Sequence, residues 1–208
     1  MQRTSLLALI SFIAIGILVL TVSGTSPEPK DSEGKMNINE LRIELGDTLP
    51  EYLYPNYTAE QARMGEEIVK YGQARKEDGK MSKVVSIYYD CTHCHNLVQE
   101  DPVLTVSDPN ARLGYAVEND LPFLQGSTLW GVVNRESWYN DDYYLKYGEW
   151  VEKARYNLKE AIQLCATQCA QGRPLKEWEM DAVIAYFNTI QITTEDIDLS
   201  LEDLASVS

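Results

Sequence analysis

Positive charge is scarce in this sequence: 18 Lys and Arg face 32 Asp and Glu, a net charge of -14 over 208 residues. A protein that neutralises phosphates needs a cationic surface, so nucleic acid is excluded as a direct partner. No Gly-rich phosphate loop is present, which removes the usual nucleotide cradle, and no segment repeats. Histidine is confined to His93 and His95. Apolar residues still make up 44% of the chain, a normal globular share, so the acidic balance does not imply disorder throughout. The length suits one domain with appendages.

Long apolar runs occur once, from Leu6 to Val22, with Arg3 the only charge before the run and no acidic residue until Glu28. This is the pattern of an export signal or an N-terminal membrane anchor, residues 1–24. At 17 residues it is long for a signal core and short for a spanning helix, and the balance tips towards an uncleaved anchor. No cysteine comes directly after it, which argues against a lipid-modified N terminus. With Arg3 inside, the remainder of the chain faces the far side of the membrane, so the expected location is periplasmic or anchored facing the periplasm. Residues 25–50, rich in Ser, Gly, Pro and charge, are expected to be a flexible linker, and residues 193–208 an acidic tail. The folded domain is then 51–192.

Within it the pattern predicts an all-α fold. Thr58 with Gln61 forms a capping box ahead of Met64, Ile68 and Tyr71. Asn157 and Glu160 open a second helix in which Leu158, Ala161, Ile162, Cys165 and Cys169 share helical spacing and which Gly172 stops. Pro174 introduces a third, from Leu175 to about Ile190. The middle, residues 101–147, reads as a long aromatic loop insertion.

Cys91-Thr92-His93-Cys94-His95 is a C-x-x-C-H sequence, the attachment signature of a c-type heme. Two thiols one short turn apart reach the two vinyl groups on one porphyrin edge, and the next residue's imidazole is the proximal iron ligand. One such motif implies one covalent heme c, held by Cys91, Cys94 and His95. His93 is expected to face solvent. Two other chemistries use the same thiols. Cys91/Cys94 with Cys165/Cys169 has the makings of a four-thiolate zinc site, although C-x3-C inside a helix is the wrong second spacing. Val84–Tyr89 before C-x-x-C has the look of a strand leading to a thiol-disulfide centre, but no βαβ pattern completes it. Neither explains His95.

The ligand opposite His95 is open from the residues themselves. In class I cytochromes c a Met ligand lies some twenty residues before the Ala-Tyr of the last helix, here Ala185-Tyr186, and that window holds Cys165 and Cys169 but no methionine. Met180 is the remaining candidate, although its place in a helix suits core packing better.

Several landmarks together, Gly65-x-x-Ile68, Asp90 to Leu97, Ile162-Gln163-Leu164-Cys165, Gly172-Arg173-Pro174-Leu175 and Glu179-Met180-Asp181-Ala182-x-x-Ala185-Tyr186, resemble the N-terminal heme domain of thiosulfate dehydrogenases and SoxA-type cytochromes. The resemblance spans roughly residues 60–190. It implies a single cytochrome c-like heme domain with iron between His95 and a cysteine thiolate. In thiosulfate dehydrogenases the ligand cysteine precedes the Gly of the Gly-x-Pro-Leu turn by seven residues, as Cys165 precedes Gly172. The resemblance therefore implies Cys165 as the distal iron ligand, with Cys169 and Met180 as alternates. Those enzymes carry a second C-x-x-C-H, whereas this sequence has one, and its interval from His95 to Cys165 is longer.

The expected function is single-electron transfer between redox partner proteins, basic ones or a second heme subunit, with the membrane as a further partner if the leader is uncleaved. The alternative is a subunit of an enzyme oxidising thiosulfate-type sulfur compounds. Arg173, just past the turn, is a candidate for holding an anion or a heme propionate, though a surface charge at a helix start is the plainer expectation. The aromatic middle, from Trp130 to Trp150, is expected to cover the heme.

Overall fold

The computed structural model describes residues 36–54, 56–100 and 109–197, all within one compact unit. The export signal or anchor expected at 1–24 lies outside these residues. Among the described residues no helix is long and apolar enough to cross a membrane. The described chain is helical: α1 Ile38–Glu44, α2 Ala59–Tyr71, α3 Pro109–Glu118, α4 Asp141–Tyr147, α5 Trp150–Arg155, α6 Leu158–Leu164 and α7 Glu177–Thr189. Strand pairing among them is limited to two isolated bridges, Asn37 with Thr193 and Arg75 with Met81.

α2 begins where its capping box predicts. Gln61 N donates to Thr58 Oγ1 at 3.1 Å and Thr58 N donates to Gln61 Oε1 at 2.8 Å, satisfying two of the amides a helix start leaves unpaired. Met64, Ile68 and Val69 then fall on its buried face. α7 buries Met180, Val183, Ile184 and Phe187, and the two helices pack across each other. Gly65 permits that crossing: a Cβ built there would lie 1.8 Å from the Ala182 carbonyl oxygen and 2.9 Å from Tyr186 Cβ. The obstacle is backbone, so the helices themselves would have to part. Gly65→Ala is expected to cost about 3 kcal/mol, the upper end for overpacking, and to lower Tm by roughly 6–12 °C in thermal unfolding.

Three stretches depart from the sequence expectation. The linker expected over 25–50 contains α1, which has a full capping box of its own, Glu40 N donating to Asn37 Oδ1 at 2.8 Å and Asn37 N to Glu40 Oε2 at 3.4 Å. Asn39 is buried and donates to the Val133 carbonyl at 3.3 Å, while Leu49 joins the core. The head of the expected tail closes onto the same place, with Ile38 N donating to Ile192 O and Thr194 N to Met36 O. The aromatic middle, expected as loop, holds α3 and α4. α4 has acids in its first turn, Lys146 in its last and Gly148 at its end, a local helix signal that the run of tyrosines obscures.

The last departure is at the ends of α6 and α7. Asn157 caps α6 as expected, accepting from Glu160 N at 3.3 Å. After Leu164 the backbone widens into a π-helical turn, Cys165–Cys169, closed by Ala170 N donating to Cys165 O at 2.8 Å. α7 starts at Glu177 and not at Leu175, because Leu175 N is taken by Gln163 Oε1 and Lys176 N by the Glu179 carboxylate.

Candidate functional site

Two walls border a cavity of about 1530 Å³. Small-molecule sites usually measure about 300–1,000 Å³, so this one is built for something larger. Cys91, Cys94, His95, Cys165 and Cys169 all border it, together with Ile68, Leu129, Val183 and Phe187 from the core.

The motif wall starts at a short 3-10 turn, Cys91–His93. Cys94 N and His95 N both donate to Cys91 O, at 3.2 and 3.0 Å, which folds the motif tightly enough to bring its two thiols to one cavity. Both are free thiols. Burial, with the Asp90 charge adding to it, pushes the Cys91 thiol up to about 12. Thiol-disulfide centres work through a lowered thiol, the opposite direction from Cys91. The structure expected to lead to such a centre is also missing: Val84–Tyr89 forms no strand, and Val85 instead bonds the loops, its N–H donating to Gly72 O and its carbonyl accepting from Arg173 N. His93 is exposed, as expected, with Nδ1 2.7 Å from Asp90 Oδ1.

His95 is held differently. Its Nδ1 lies 2.6 Å from the Ser127 carbonyl oxygen. A carbonyl only accepts, so Nδ1 carries the proton and Nε2 keeps a lone pair for a ligand. Burial lowers the ring's basicity against the partial support of that hydrogen bond, which keeps the imidazole neutral and able to coordinate. The loop that holds it is stitched to the motif. Gly126 N donates to Cys94 O at 2.7 Å and Leu129 N to Asn96 O at 2.8 Å, and Thr128 Oγ1 donates to Val98 O at 2.6 Å. Gly126 lies flat against the ring, since a Cβ there would stand 2.3 Å from His95 Cε1.

The other sulfur pair sits on the π-helical turn. Cys165 is close enough to Cys91 and Cys94 for their charges to raise its own thiol, although its hydrogen bond with Cys169 and burial do more. Cys169 is held low, at about 6, by the hydrogen bond with Cys165 and then by Tyr147 and Lys146, against the opposing effect of burial. The Tyr147 hydroxyl lies 3.4 Å from Cys169 Sγ. The pair therefore shares one proton more readily than it holds two. Trp130, Trp138, Tyr139, Tyr143 and Tyr147 of the aromatic middle border the same cavity, Tyr143 stacked on Tyr147 and edge-on to Tyr139. Trp150 is 54% exposed and stands apart.

Met180 is buried in the α2/α7 core and does not border the cavity. Arg173 is committed elsewhere: its two terminal nitrogens each donate to the Glu179 carboxylate at 2.7 Å, with further bonds to the carbonyls of Lys83, Val84 and Pro174. It is neither an anion site nor a plain surface charge. Burial alone would raise the Glu179 carboxyl, but the Arg173 guanidinium and the Lys176 N–H hold it below the ordinary carboxylate range.

No family model, curated protein or solved structure matches the chain. The likeness to sulfur-oxidising cytochromes thus rests on its motifs, and the chemistry must be argued from the cavity. Among the described residues no group of three or more His, Cys, Asp or Glu side chains is placed to hold a metal ion. A bare zinc needs three or four converging ligands, and the described residues bring no such group together. A heme brings four nitrogens of its own and asks the protein for two thiols, axial ligands and a large apolar enclosure. The cavity is bordered by two motif thiols, an imidazole with a free nitrogen and a mixed apolar and polar lining. Sequence reasoning missed Gly126, Ser127 and Arg135, which act through backbone and loop closure about thirty residues or more from the motif and carry no signature there.

Proposed function

We propose that this chain is a c-type cytochrome domain that holds one heme through Cys91 and Cys94, with iron between His95 and Cys165, and carries single electrons between protein partners outside the cytoplasmic membrane. The supporting observation is the His95 imidazole, fixed by the Ser127 carbonyl with Nε2 free, on a cavity that both motif thiols and Cys165 also border. When bound, the heme takes up and releases one electron at iron, at a potential its axial ligands set.

The chain's own residues do the rest. Ser127 O fixes the tautomer and orientation of His95 and strengthens its donor nitrogen. Cys165, losing its proton on binding iron, would supply a charged sulfur, which would favour the ferric state and a low potential. The aromatic wall keeps water from the cavity, and the acidic surface steers cationic partners. Export through the Leu6–Val22 run places the domain where heme attachment and periplasmic partners meet it.

The second reading, oxidation of thiosulfate-type compounds, is favoured by one feature: a second thiol, Cys169, stands beside Cys165 on the same cavity and ionises readily. Expression with a heme-attachment system tests both. A pyridine hemochrome spectrum of the covalent c type is expected, and its absence would sink the cytochrome reading. Thiosulfate-dependent reduction of an artificial acceptor, lost in Cys165→Ala, would replace the carrier by the enzyme.

A further inference from the structure

Two guanidinium groups and one carboxylate stand on the His95 side of the cavity. Arg112 is paired, its Nη2 2.8 Å from Glu100 Oε2, with the two side chains only 13% and 4% exposed. Glu100 is further committed to Asn96. Arg135 makes a different set of bonds. Nη1 donates to Ser127 Oγ at 3.1 Å, and Nη2 to the carbonyls of Thr128 at 2.6 Å and Trp130 at 3.5 Å. All are neutral acceptors. No carboxylate among the described residues lies within ion-pair distance of it, and its chain neighbour Glu136 pairs with Arg42. Among the described residues acting on Arg135, one cation and one anion stand beside it, Arg112 and Glu100, and these two pair with each other.

A partly desolvated guanidinium without a counter-ion is costly, and it stays charged because arginine does not give up its proton in proteins. Arg135 borders the cavity, and three bonds to the loop that holds His95 fix its fork in place. Its charge, met by neutral acceptors only among its described bonds, is thus presented to the cavity. We propose that Arg135 binds a carboxylate of the cavity's occupant, a propionate of the heme; this rests on the cytochrome reading. Arg173, the residue the sequence puts forward for this task, already has its charge matched by the Glu179 carboxylate, whereas the bonds of Arg135 go to neutral acceptors. The insertion between motif and α6 thereby has a second task besides cover: it supplies the charge that settles a heme carboxylate in the interior.

The experiment is a pH titration of the heme potential of the holoprotein by spectroelectrochemistry, comparing wild type, Arg135→Gln and Arg135→Lys. The charged groups acting on Arg135 are Arg112 and Glu100, and neither is altered. An opposite charge at contact distance lowers a carboxyl by about 1–3 pH units, so Arg135→Gln should move the propionate step in the potential upward by that amount. Arg135→Lys, with a single-point ammonium in place of a planar fork, should move it less, in the same direction, and carries the test if the Gln variant does not fold. A step at the wild-type position in the folded variants overturns the proposal. So does a wild-type potential that responds to added sulfate or thiosulfate only while Arg135 is present, which would give the site to a free oxyanion. Absence of covalent heme in the wild type overturns the cytochrome reading with it, whereas an unmoved step in a heme-loaded protein overturns this assignment alone.

Discussion

In the protein loaded with heme as proposed, Gly126→Ala is expected to shift a low-spin iron towards high spin while leaving the heme attached. The new methyl would fall 2.3, 2.4 and 2.8 Å from three atoms of the His95 ring, all well inside van der Waals contact. Neither partner has an easy way out. The ring is tethered by the Ser127 carbonyl at 2.6 Å, and Gly126 itself is bound to the motif through its amide at 2.7 Å from Cys94 O. Relief must come either from the ring swinging off its axis or from the loop lifting away, and lifting the loop breaks the hydrogen bond that sets the tautomer. Losing such an outer contact costs about 10–100-fold in metal affinity, which would weaken the proposed bond from His95 to iron. The proposed thioether links to Cys91 and Cys94 would not depend on His95, so heme content by pyridine hemochrome should persist. Optical and electron paramagnetic resonance spectra of the ferric protein read the spin state. An unchanged low-spin signal in Gly126→Ala would mean that His95 is not held against Gly126 in the loaded protein.

How far the sequence could be read depended on whether a feature was local. The Thr58/Gln61 box, the Asn157 cap and the apolar spacing of α2 and α7 are written within a few residues each, and the starts of α2 and α6 stand where those residues put them, while α6 gives way to the π turn and α7 begins two residues late. The C-x-x-C-H spacing likewise carries its own chemistry, and its three side chains border one cavity. α1 was equally local, with Asn37 and Glu40 at capping-box spacing, but Pro, Gly and Ser upstream masked it within a composition typical of linkers. α4 was masked by its tyrosines. The supports of His95 belong to another class. A carbonyl at Ser127 and a missing side chain at Gly126 act only after a chain closure of some thirty residues, and nothing about Gly or Ser in a loop announces that. Arg173 shows the converse error. Its place after the Gly-x-Pro-Leu turn suggests a ligand, yet fully buried Glu179, six residues on, claims it.

The distal ligand is where sequence and geometry divide the work, and Cys165→Met against Cys169→Ala separates the candidates. Cys165 and Cys169 are successive ends of one π-helical turn, share a proton, and border the same cavity, so position alone favours neither strongly. Their other neighbours differ. Cys165 is the one that feels Cys91 and Cys94, whereas Cys169 is engaged by Tyr147 and Lys146 on the aromatic side. If Cys165 binds iron, replacing its thiolate by a neutral thioether removes a negative charge that stabilises the ferric state. The potential should rise by on the order of a few tenths of a volt, within the roughly 0.8 V that axial ligands span, and the ferric low-spin signals should change type. Cys169→Ala, by contrast, removes only a hydrogen-bonding neighbour of that sulfur, and should shift the potential far less while keeping a thiolate-type spectrum. The reverse pattern, a large change in Cys169→Ala and none in Cys165→Met, would assign the iron to the other end of that π-helical turn. Met180 enters neither outcome, because its side chain is locked in the α2/α7 core and the cavity does not reach it.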